Sequence, residues 1–221
     1  MLKAFKRTLY NVLTIIVAPP FCAYCKTFLT CELVLCIQCK NTISPIVSIT
    51  RSVTQKYSMK IFAISDYQDP LKKLILAKRW GNRTASKQLG QLLWQLSHIK
   101  QVNFDYIVPI PLHWTRFARR GFNQAEEIAQ IIAEKSGKPV INILKRSKRT
   151  AYQSQSVYTK RNQNVENAFI IEKLDKAQFK NKHLLLIDDL MTTGATLQVA
   201  ARTLLQLKPQ IITAAVVCRV I

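Results

Sequence analysis

The sequence predicts an α/β protein in which a mostly parallel sheet with flanking helices follows a small cysteine module. From Met59 onward, strand-like segments alternate with segments of helical periodicity. Strands separated by helices are typical of a parallel sheet covered on both faces. Five of the six cysteines lie within eighteen residues, from Cys22 to Cys39. A chain of 221 residues accommodates such a module and a domain of roughly 150 residues.

The N-terminal segment is predicted to form an amphipathic helix that packs on the rest of the protein. Phe5, Leu9, Val12 and Ile16 recur at helical spacing. The apolar run that begins at Val12 is too short to span a bilayer, and no small-residue cleavage site precedes Pro19. A signal peptide is therefore disfavoured, and a position on a membrane surface stays open as a minor alternative.

Two cysteine pairs are predicted to bind one Zn²⁺ ion through Cys22, Cys25, Cys36 and Cys39. Each pair has the spacing C-x-x-C and ten residues separate the pairs, which suits a tetrahedral site. Cys31 either replaces one of these ligands or packs as a buried thiol. A disulfide framework is disfavoured because the expected compartment is the reducing cytoplasm. The role is expected to be structural, since four protein thiolates leave no open coordination position.

The polar, Ser/Thr-rich segment Asn41–Lys60 is predicted to join the module to the larger domain. Residues 1–50 would then form an N-terminal helix and a zinc-ribbon-like module, and residues 51–221 the α/β domain. Strands are expected at Met59–Tyr67, Phe104–Pro111, Val140–Leu144, Leu184–Ile187 and Ile211–Val217. Helices are expected at Leu71–Lys78, Thr84–Ser97, Phe122–Lys135 and Ala195–Leu207.

The charge balance indicates a polyanionic partner. Lys and Arg number 33 against 12 Asp and Glu, a formal net charge of +21. Such an excess attracts phosphates, nucleic acid or anionic membranes, although a basic surface without such a partner stays an alternative. No acidic residue lies between Glu134 and Glu166. The basic residues of this interval that are predicted to contact nucleic acid are Lys145, Arg146, Lys148, Arg149 and Lys160.

The strongest motif is LLLIDDLMTTGATL, which spans Leu184 to Leu197. It predicts a buried strand, a Thr/Gly turn and the first turn of a helix, whose free N–H groups bind anions at the carboxyl end of a strand. The adjacent carboxylates of Asp188 and Asp189 suit a ligand that carries hydroxyl groups or a divalent cation beside its phosphate. The alternative is an ordinary strand-to-helix turn in which an aspartate caps the helix.

This motif resembles the phosphoribosyl-pyrophosphate signature of type I phosphoribosyltransferases, and the α/β domain is accordingly expected to have their fold. The resemblance implies that Asp188 and Asp189 hold the ribose hydroxyls. It also implies that they stabilise the ribose electrostatically as it gains oxocarbenium character. Mg²⁺ would be carried mainly by the pyrophosphate of the ligand. The residues implied to wrap the 5′-phosphate are Met191, Thr192, Thr193, Gly194, Ala195 and Thr196.

A second segment, VPIPLHWTRFARRGFNQA, looks like a pyrophosphate loop of the same proteins. Guanidinium groups bind phosphate oxygens bidentately, and the helix expected from Phe122 presents its N-terminus to the same region. A solvated basic turn is the alternative. The residues predicted to bind the ligand here are Arg116, Arg119, Arg120 and Gly121.

A third segment, Leu144–Phe169, is basic and lacks apolar periodicity, as functional or disordered loops do. It lies where type I phosphoribosyltransferases carry a flexible loop that closes over the ribose. Together with the two motifs and the cysteine module, it resembles the ComF family of competence-associated proteins. When this segment is matched to the motif of that family, the resemblance implies that Arg161 is catalytic together with Asp188 and Asp189. The other residues matched in this way are Asn123, Gln124, Thr150, Gln153 and Asn164.

The ComF resemblance implies that the protein binds phosphoribosyl pyrophosphate, or a related ribose phosphate, and handles incoming single-stranded DNA during natural transformation. The competence DNA-transport machinery at the inner membrane is a further implied partner, and homo-oligomerisation is left open. The alternative is an active phosphoribosyltransferase with an unidentified acceptor. A nucleic-acid-binding zinc module beside a degenerate α/β domain is disfavoured because the ligand motif is intact. Tyr152 and Tyr158 are candidates for stacking on bases.

Overall fold

The computed structural model describes residues 20–29, 33–77, 82–112, 114–146, 168–172 and 176–220, and of Val47, Arg116 and Arg119 the backbone only. The chain divides into two compact units, residues 1–43 and residues 44–221. The predicted N-terminal helix lies outside the described ranges. So do these residues named above: Cys31, Lys148, Arg149, Thr150, Tyr152, Gln153, Tyr158, Lys160, Arg161 and Asn164.

The described residues of the first unit form a turn and one short helix, α1 (Ile37–Asn41). A β-bridge joins Phe21 to Phe28 and closes the turn, and their rings meet edge to face with centroids 6.1 Å apart. Cys36 caps the N-terminus of α1, where its Sγ accepts a hydrogen bond from the Cys39 N–H at 3.5 Å. The turn and the helix therefore each carry one cysteine pair.

The second unit contains a five-stranded sheet in the order β1-β2-β7-β6-β3, in which only β1 is antiparallel to its neighbour among the described strands of the sheet. Strands β4 and β5 form a separate antiparallel pair. The strands are β1 (Ile46–Thr54), β2 (Tyr57–Asp66), β3 (Tyr106–Pro109), β4 (Leu144–Arg146), β5 (Phe169–Ile171), β6 (His183–Met191) and β7 (Ile211–Arg219). The helices are α2 (Leu71–Ala77), α3 (Arg83–Leu96), α4 (Trp114–Arg120), α5 (Gln124–Ser136) and α6 (Ala195–Leu204), with 3₁₀ helices at His98–Gln101, Lys176–Phe179 and Leu205–Leu207.

Strand β1 differs from the sequence prediction, which treats residues 41–60 as a linker. The segment is rich in serine and threonine, but its isoleucines, valines and threonines are β-branched and fit a pleated strand. It pairs antiparallel with β2 across a two-residue turn at residues 55–56. The predicted domain boundary at residue 50 therefore falls inside β1, within the second unit.

The observed bounds of one strand and one helix also differ from the bounds predicted from the sequence. Of the expected strand Val140–Leu144, only Val140 pairs with the main sheet, through a single parallel bridge to Ile107. The chain then leaves the sheet and begins β4 at Leu144. The last helix ends its α-helical part at Leu204 and continues as a 3₁₀ turn, after which Lys208 adopts a φ of 52°.

The central strands are buried on both faces, as in a sheet covered by helices on two sides. In β6, residues 184–187 are fully buried. Leu184 and Leu186 belong to the same hydrophobic cluster as Leu197 and Leu204 of α6. Helices α3 and α5 pack against each other and against β7 and β6. The alternation along β6 therefore directs Leu184 and Leu186 to α6, and Leu185 and Ile187 to the α3/α5 layer.

Helices α3 and α5 approach closely at Gly90. A Cβ on this residue would lie 2.9 Å from the Cβ of Ile131, so a larger residue would push the helices apart.

Within the described ranges, no helix is both long and apolar enough to cross a membrane.

The connections that follow β3 and β6 leave the sheet in opposite directions. After β3, the chain passes through α5 and returns beyond the sheet edge, where Val140 bridges Ile107. After β6, the chain passes through α6 to β7, which lies on the side of β6 away from β3. In an open α/β sheet, a ligand crevice forms at the carboxyl ends of two strands whose connections diverge in this way. The fold thus places a crevice at the ends of β3 and β6.

Candidate functional site

A cleft of about 380 Å³ opens at the carboxyl ends of β3 and β6. This volume lies within the range of about 300–1,000 Å³ typical of ligand pockets. The cleft brings together side chains that the sequence places in three separate segments. The polar residues that line it include Arg120, Asn123, Gln124, Arg146, Asp188 and Asp189.

Asp188 and Asp189 lie in β6 directly beyond its pairing with β3. Pro109 pairs with Ile187, and the Ile110 N–H donates to the Ile187 carbonyl at 2.9 Å. The Asp188 carboxylate accepts a hydrogen bond from the Asp189 N–H at 2.8 Å. Both aspartates are half-buried and line the cleft. They are therefore placed to accept hydrogen bonds from hydroxyl groups of a ligand.

The turn between β6 and α6 has the geometry of an anion site. Gly194 adopts a φ of 78°, in the left-handed region that favours glycine. It is the N-cap of α6, and Thr193 Oγ1 accepts a hydrogen bond from the Ala195 N–H at 3.4 Å. Thr192 and Thr196 line the cleft on either side of the glycine. The exposed N–H groups and partial positive charge of such a helix terminus favour a bound phosphate.

Arg51 of β1 reaches this turn and is a residue that sequence reasoning missed. Its guanidinium Nη2 donates a hydrogen bond to the Thr193 carbonyl. A Cβ on Gly194 would lie 3.3 Å from Arg51 Nε and 3.4 Å from the Sδ of Met191, whose side chain is buried. Arg51 and Thr193 are 142 residues apart in the chain, so no local pattern indicates their contact.

Helix α6 holds β1 in place beside the turn. Gln198 Nε2 donates to the Ser52 carbonyl at 2.9 Å, and Arg202 Nη2 donates to the Val53 carbonyl at 3.2 Å. These two bonds fix the backbone on the C-terminal side of Arg51. The position of Arg51 against the turn before α6 is therefore set by β1 as a whole.

The segment predicted as a pyrophosphate loop is largely helical. Its sequence lacks proline and glycine between Trp114 and Arg120, which permits the helix α4. Arg120, at the end of α4, lines the cleft, whereas Gly121 is exposed and lies outside the cleft lining. For Arg116 and Arg119, the structure places the backbone in α4.

Asn123 and Gln124 begin α5 at the wall of the cleft. Asn123 Oδ1 accepts from the Ala125 N–H at 3.2 Å, and its Nδ2 donates to the Ile110 carbonyl at 3.0 Å, which ties α5 to the end of β3. Gln124 is only 2% exposed, and its Nε2 has no hydrogen-bond partner within the described part of the chain. Because a buried donor without a partner costs about 1–3 kcal/mol, a ligand oxygen at this amide would be favourable.

Of the residues predicted to bind nucleic acid, Lys145 and Arg146 are described. The Arg146 Nε donates to the Pro111 carbonyl at 3.2 Å, and its guanidinium lies 5.2 Å from the ring centroid of Phe169. Arg146 lines the cleft, whereas Lys145 lies outside it and forms an ion pair with Glu172. Of these two neighbouring basic residues, only Arg146 therefore belongs to the cleft lining.

In the first unit, the thiols of Cys22, Cys25, Cys36 and Cys39 lie within 4.8 Å of one another. The sulfurs of Cys25 and Cys36 are 3.7 Å apart, close to the roughly 3.8 Å that tetrahedral geometry with Zn–S bonds of about 2.3 Å requires. Hydrogen bonding with Thr27 lowers the pKa of Cys25 to about 6, and burial raises the pKa of Cys39 to about 12. A bound divalent cation would favour the thiolate at both residues. This cluster fits a metal ion such as zinc.

Residues 86–221 match the model of the phosphoribosyl transferase domain. The chain is 32% identical over 155 residues to competence protein F of Haemophilus influenzae, an alignment that covers 67% of each chain. It is 29% identical over 154 residues to the DNA utilization protein YhgH of Escherichia coli, with 66% of each chain covered. It is 37% identical over 105 residues to competence protein ComFC of Bacillus subtilis, which covers 45% of this chain and 38% of that protein. The domain match confirms the fold class predicted from the sequence.

Proposed function

This chain belongs to the ComF family of proteins with a phosphoribosyl transferase domain, and from that premise we propose that its cleft binds phosphoribosyl pyrophosphate. The observation that carries the proposal is the convergence in one cleft of two carboxylates, a helix N-terminus and an arginine. These are Asp188 with Asp189, the first turn of α6 at Thr196, and Arg120. Each part suits a different group of a ribose that carries phosphates at both ends.

Each part of the cleft binds a different group of the ligand in this proposal. The turn before α6 binds the 5′-phosphate through backbone N–H groups, and Asp188 and Asp189 accept the ribose hydroxyls. Arg120 and the buried Gln124 amide face the pyrophosphate, close to the N-terminus of α5. Mg²⁺ would be held chiefly by the pyrophosphate, where it offsets negative charge beside the two carboxylates.

Calorimetry with phosphoribosyl pyrophosphate and Mg²⁺ tests this assignment. The double substitution Asp188→Ala with Asp189→Ala removes the acceptors of the ribose hydroxyls, and each lost charge-assisted hydrogen bond should cost about 1.5–3 kcal/mol. A matched control is Glu134→Ala, which removes an exposed carboxylate on α5 outside the cleft. Equal affinity of the double variant and the control would show that the ribose assignment is wrong.

We further propose that the protein handles single-stranded DNA during natural transformation, in the cytoplasm and beside the DNA-transport machinery of the inner membrane. Two observations support this: the relatives are named for competence and DNA utilization, and the formal net charge is +21. Neutralised phosphates release counterions, so the affinity should fall by about 0.7 log units per log unit of salt for each phosphate contacted.

The test is a salt titration of binding to a fluorescent single-stranded oligonucleotide, with and without phosphoribosyl pyrophosphate. Because Arg146 lines the cleft and belongs to the basic segment, the two ligands should weaken each other's binding by the same factor. An affinity that does not change with salt would eliminate the electrostatic mechanism.

A second candidate function is transfer of the phosphoribosyl group to an acceptor. It is favoured by the half-buried position of Asp188 and Asp189, where they could stabilise positive charge that develops on the ribose. Phosphoribosyl pyrophosphate labelled in its ribose, incubated with cell extract and Mg²⁺, would reveal transfer as a labelled product that depends on the protein. The Asp188→Ala variant is the control, because it should abolish that product.

A further inference from the structure

The amino ends of the parallel strands lie at the opposite end of the sheet from the cleft. The segments that lead into β2, β3, β6 and β7 meet there because these strands run in the same direction, and the segment after α5 joins them where it leads to Val140. In β6, His183 precedes Asp188 by five residues, a separation of about 17 Å at the usual rise of a strand. The amino-end face comprises residues 55–56, 97–105, 134–139, 176–182 and 208–210.

Lysine is concentrated in every segment of the amino-end face. The face carries eight lysines and two carboxylates, Asp105 and Glu134, a formal sum of +6. Eight lysines among these 27 residues are about twice the share of Lys and Arg in the whole chain, which is 33 in 221. Six of the eight are exposed and two are half-buried. The lysines are Lys56, Lys100, Lys135, Lys138, Lys176, Lys180, Lys182 and Lys208.

Contacts between the segments hold these lysines in one patch. The Asn181 N–H donates a hydrogen bond to the Lys208 carbonyl at 3.1 Å, which joins the segments before β6 and β7. The Asp105 N–H donates to the His183 carbonyl at 2.9 Å, and the Asp105 carboxylate pairs with Lys182 Nζ at 3.7 Å. The segments that precede β3, β6 and β7 therefore form a continuous surface.

The positive charge of this face exceeds what the fold itself offsets. Helices α3, α5 and α6 end toward it, since each leads into the start of β3, Val140 or β7. A helix C-terminus carries about half a negative charge, so three of them offset about 1.5 of the six excess charges. Among the ion pairs of the described residues, one lies on this face, between Lys182 and Asp105. Most of the charge is therefore available to attract an external polyanion.

The composition of the face favours a flexible phosphate backbone as that polyanion. Each Lys or Arg in it is a lysine, whose ammonium group is a point charge on a flexible stem, whereas the cleft is lined by arginines, which suit phosphates in fixed positions. Among the described residues at this end of the sheet, the one exposed large apolar side chain is Ile211. Insertion into a membrane needs more apolar surface, and stacking of bases needs an exposed aromatic ring. A contact made through phosphates alone fits this surface.

We propose that the amino-end face binds the phosphate backbone of single-stranded DNA without sequence preference. The inference rests on the proposed function, because it assigns a surface to the DNA binding proposed there. Arg146 lies at the cleft, at the other end of the strands. Phosphoribosyl pyrophosphate in the cleft therefore weakens a DNA contact at Arg146 but leaves the contacts at the amino-end face in place.

The test compares two double variants that remove the same charge from different places. Lys135→Gln with Lys180→Gln removes two exposed lysines of the amino-end face. Lys72→Gln with Lys87→Gln removes two exposed lysines of α2 and α3 and is the matched control. In about 0.1 M salt, the first variant should bind a fluorescent thymidine oligonucleotide about 25-fold more weakly than wild type. Its salt slope should fall by about 1.4, since each phosphate contact contributes about 0.7.

The control variant should bind the oligonucleotide within about twofold of wild type. Both double variants should bind phosphoribosyl pyrophosphate as wild type does, which also shows that they are folded. The difference of about 25-fold should persist when phosphoribosyl pyrophosphate saturates the cleft. Equal losses in the two double variants, or a difference that vanishes when the cleft is filled, would overturn the amino-end proposal while DNA binding itself stands.

Vesicles of anionic phospholipid, tested in parallel, distinguish a membrane from DNA. Wild-type protein that binds the vesicles but no oligonucleotide at low salt, together with loss of vesicle binding in Lys135→Gln with Lys180→Gln, would assign the face to a membrane. That result would overturn both the amino-end proposal and the DNA binding on which it rests.

Discussion

Replacing Gly194 by alanine should weaken phosphoribosyl-pyrophosphate binding more than its effect on stability explains. Gly194 has a φ of 78°, and an alanine held there costs about 1–2 kcal/mol of backbone energy. Its Cβ would also lie 3.3 Å from Arg51 Nε and 3.4 Å from Met191 Sδ. The contact with Arg51 Nε is tighter than most Cβ contacts, so Arg51 or the turn must move by a few tenths of an ångström.

Gly137 provides a matched control for the backbone strain. It ends α5 with a φ of 71°, and a Cβ there would meet nothing within 4 Å. Gly137→Ala and Gly194→Ala should therefore each lower the midpoint of thermal unfolding, by about 2–8 °C for a loss of about 1–2 kcal/mol in a domain of this size. Only Gly194→Ala displaces the turn proposed to hold the 5′-phosphate.

The assay is calorimetry of both variants with phosphoribosyl pyrophosphate, at a temperature where both are folded. Gly194→Ala should lose affinity about tenfold or more, which corresponds to about 1.4 kcal/mol, and Gly137→Ala should stay within about twofold of wild type. If Gly194→Ala binds as tightly as Gly137→Ala, the turn before α6 does not hold the phosphate.

Three further predictions concern the turn before α6, the cysteine cluster and the pH dependence of stability. Arg51→Ala should weaken binding of ribose 5-phosphate but not of pyrophosphate, because Arg51 holds the turn at the opposite end of the ligand; equal losses for both ligands in calorimetry would contradict this. Elemental analysis should find one zinc per chain, reduced in Cys22→Ser, and zinc retained in Cys22→Ser but lost in Cys31→Ser would identify a different fourth ligand. A hydrogen bond from the His183 N–H lowers the pKa of Asp105 below its usual 3.8. The Asp105 carboxylate therefore stabilises the folded state at pH values above its unfolded pKa. This stabilisation is lost as the pH falls through the folded pKa. Asp105→Asn should therefore flatten the decline of stability below about pH 4 in denaturant titrations, and an unchanged slope would show that this carboxylate does not contribute.

The sequence determined the parts of this protein whose interactions are local. The strand, turn and helix around Gly194 are contiguous, so residue pattern alone predicts an anion site there. The helix α5 follows the same logic, since Ala125, Ile128, Ala129 and Ile132 recur at helical spacing and are buried as expected. The cysteine spacing likewise predicted a cluster of four thiols, which the structure brings within 4.8 Å.

Strand β1 shows where local patterns were ambiguous. Its serines, threonines and Arg51 are typical of a linker, whereas its isoleucines, valines and threonines also fit a strand. An edge strand gains its stability from pairing with its neighbour, here β2, and not from its own sequence. A segment whose residues fit both a linker and a strand can be assigned to a strand only when its partner strand is known.

Only the tertiary structure decided which distant residues meet at the cleft. Arg51 reaches the Thr193 carbonyl, in the turn beside the cleft, across 142 residues, and Arg146 reaches the Pro111 carbonyl across 35. It also showed that the buried Gln124 Nε2 has no hydrogen-bond partner among the described residues, and that Trp114 and Phe117 line a cavity beside the cleft. Periodicity and capping report interactions within a few residues along the chain. Contacts across the sheet depend instead on strand order and register, which the packing of the whole domain sets.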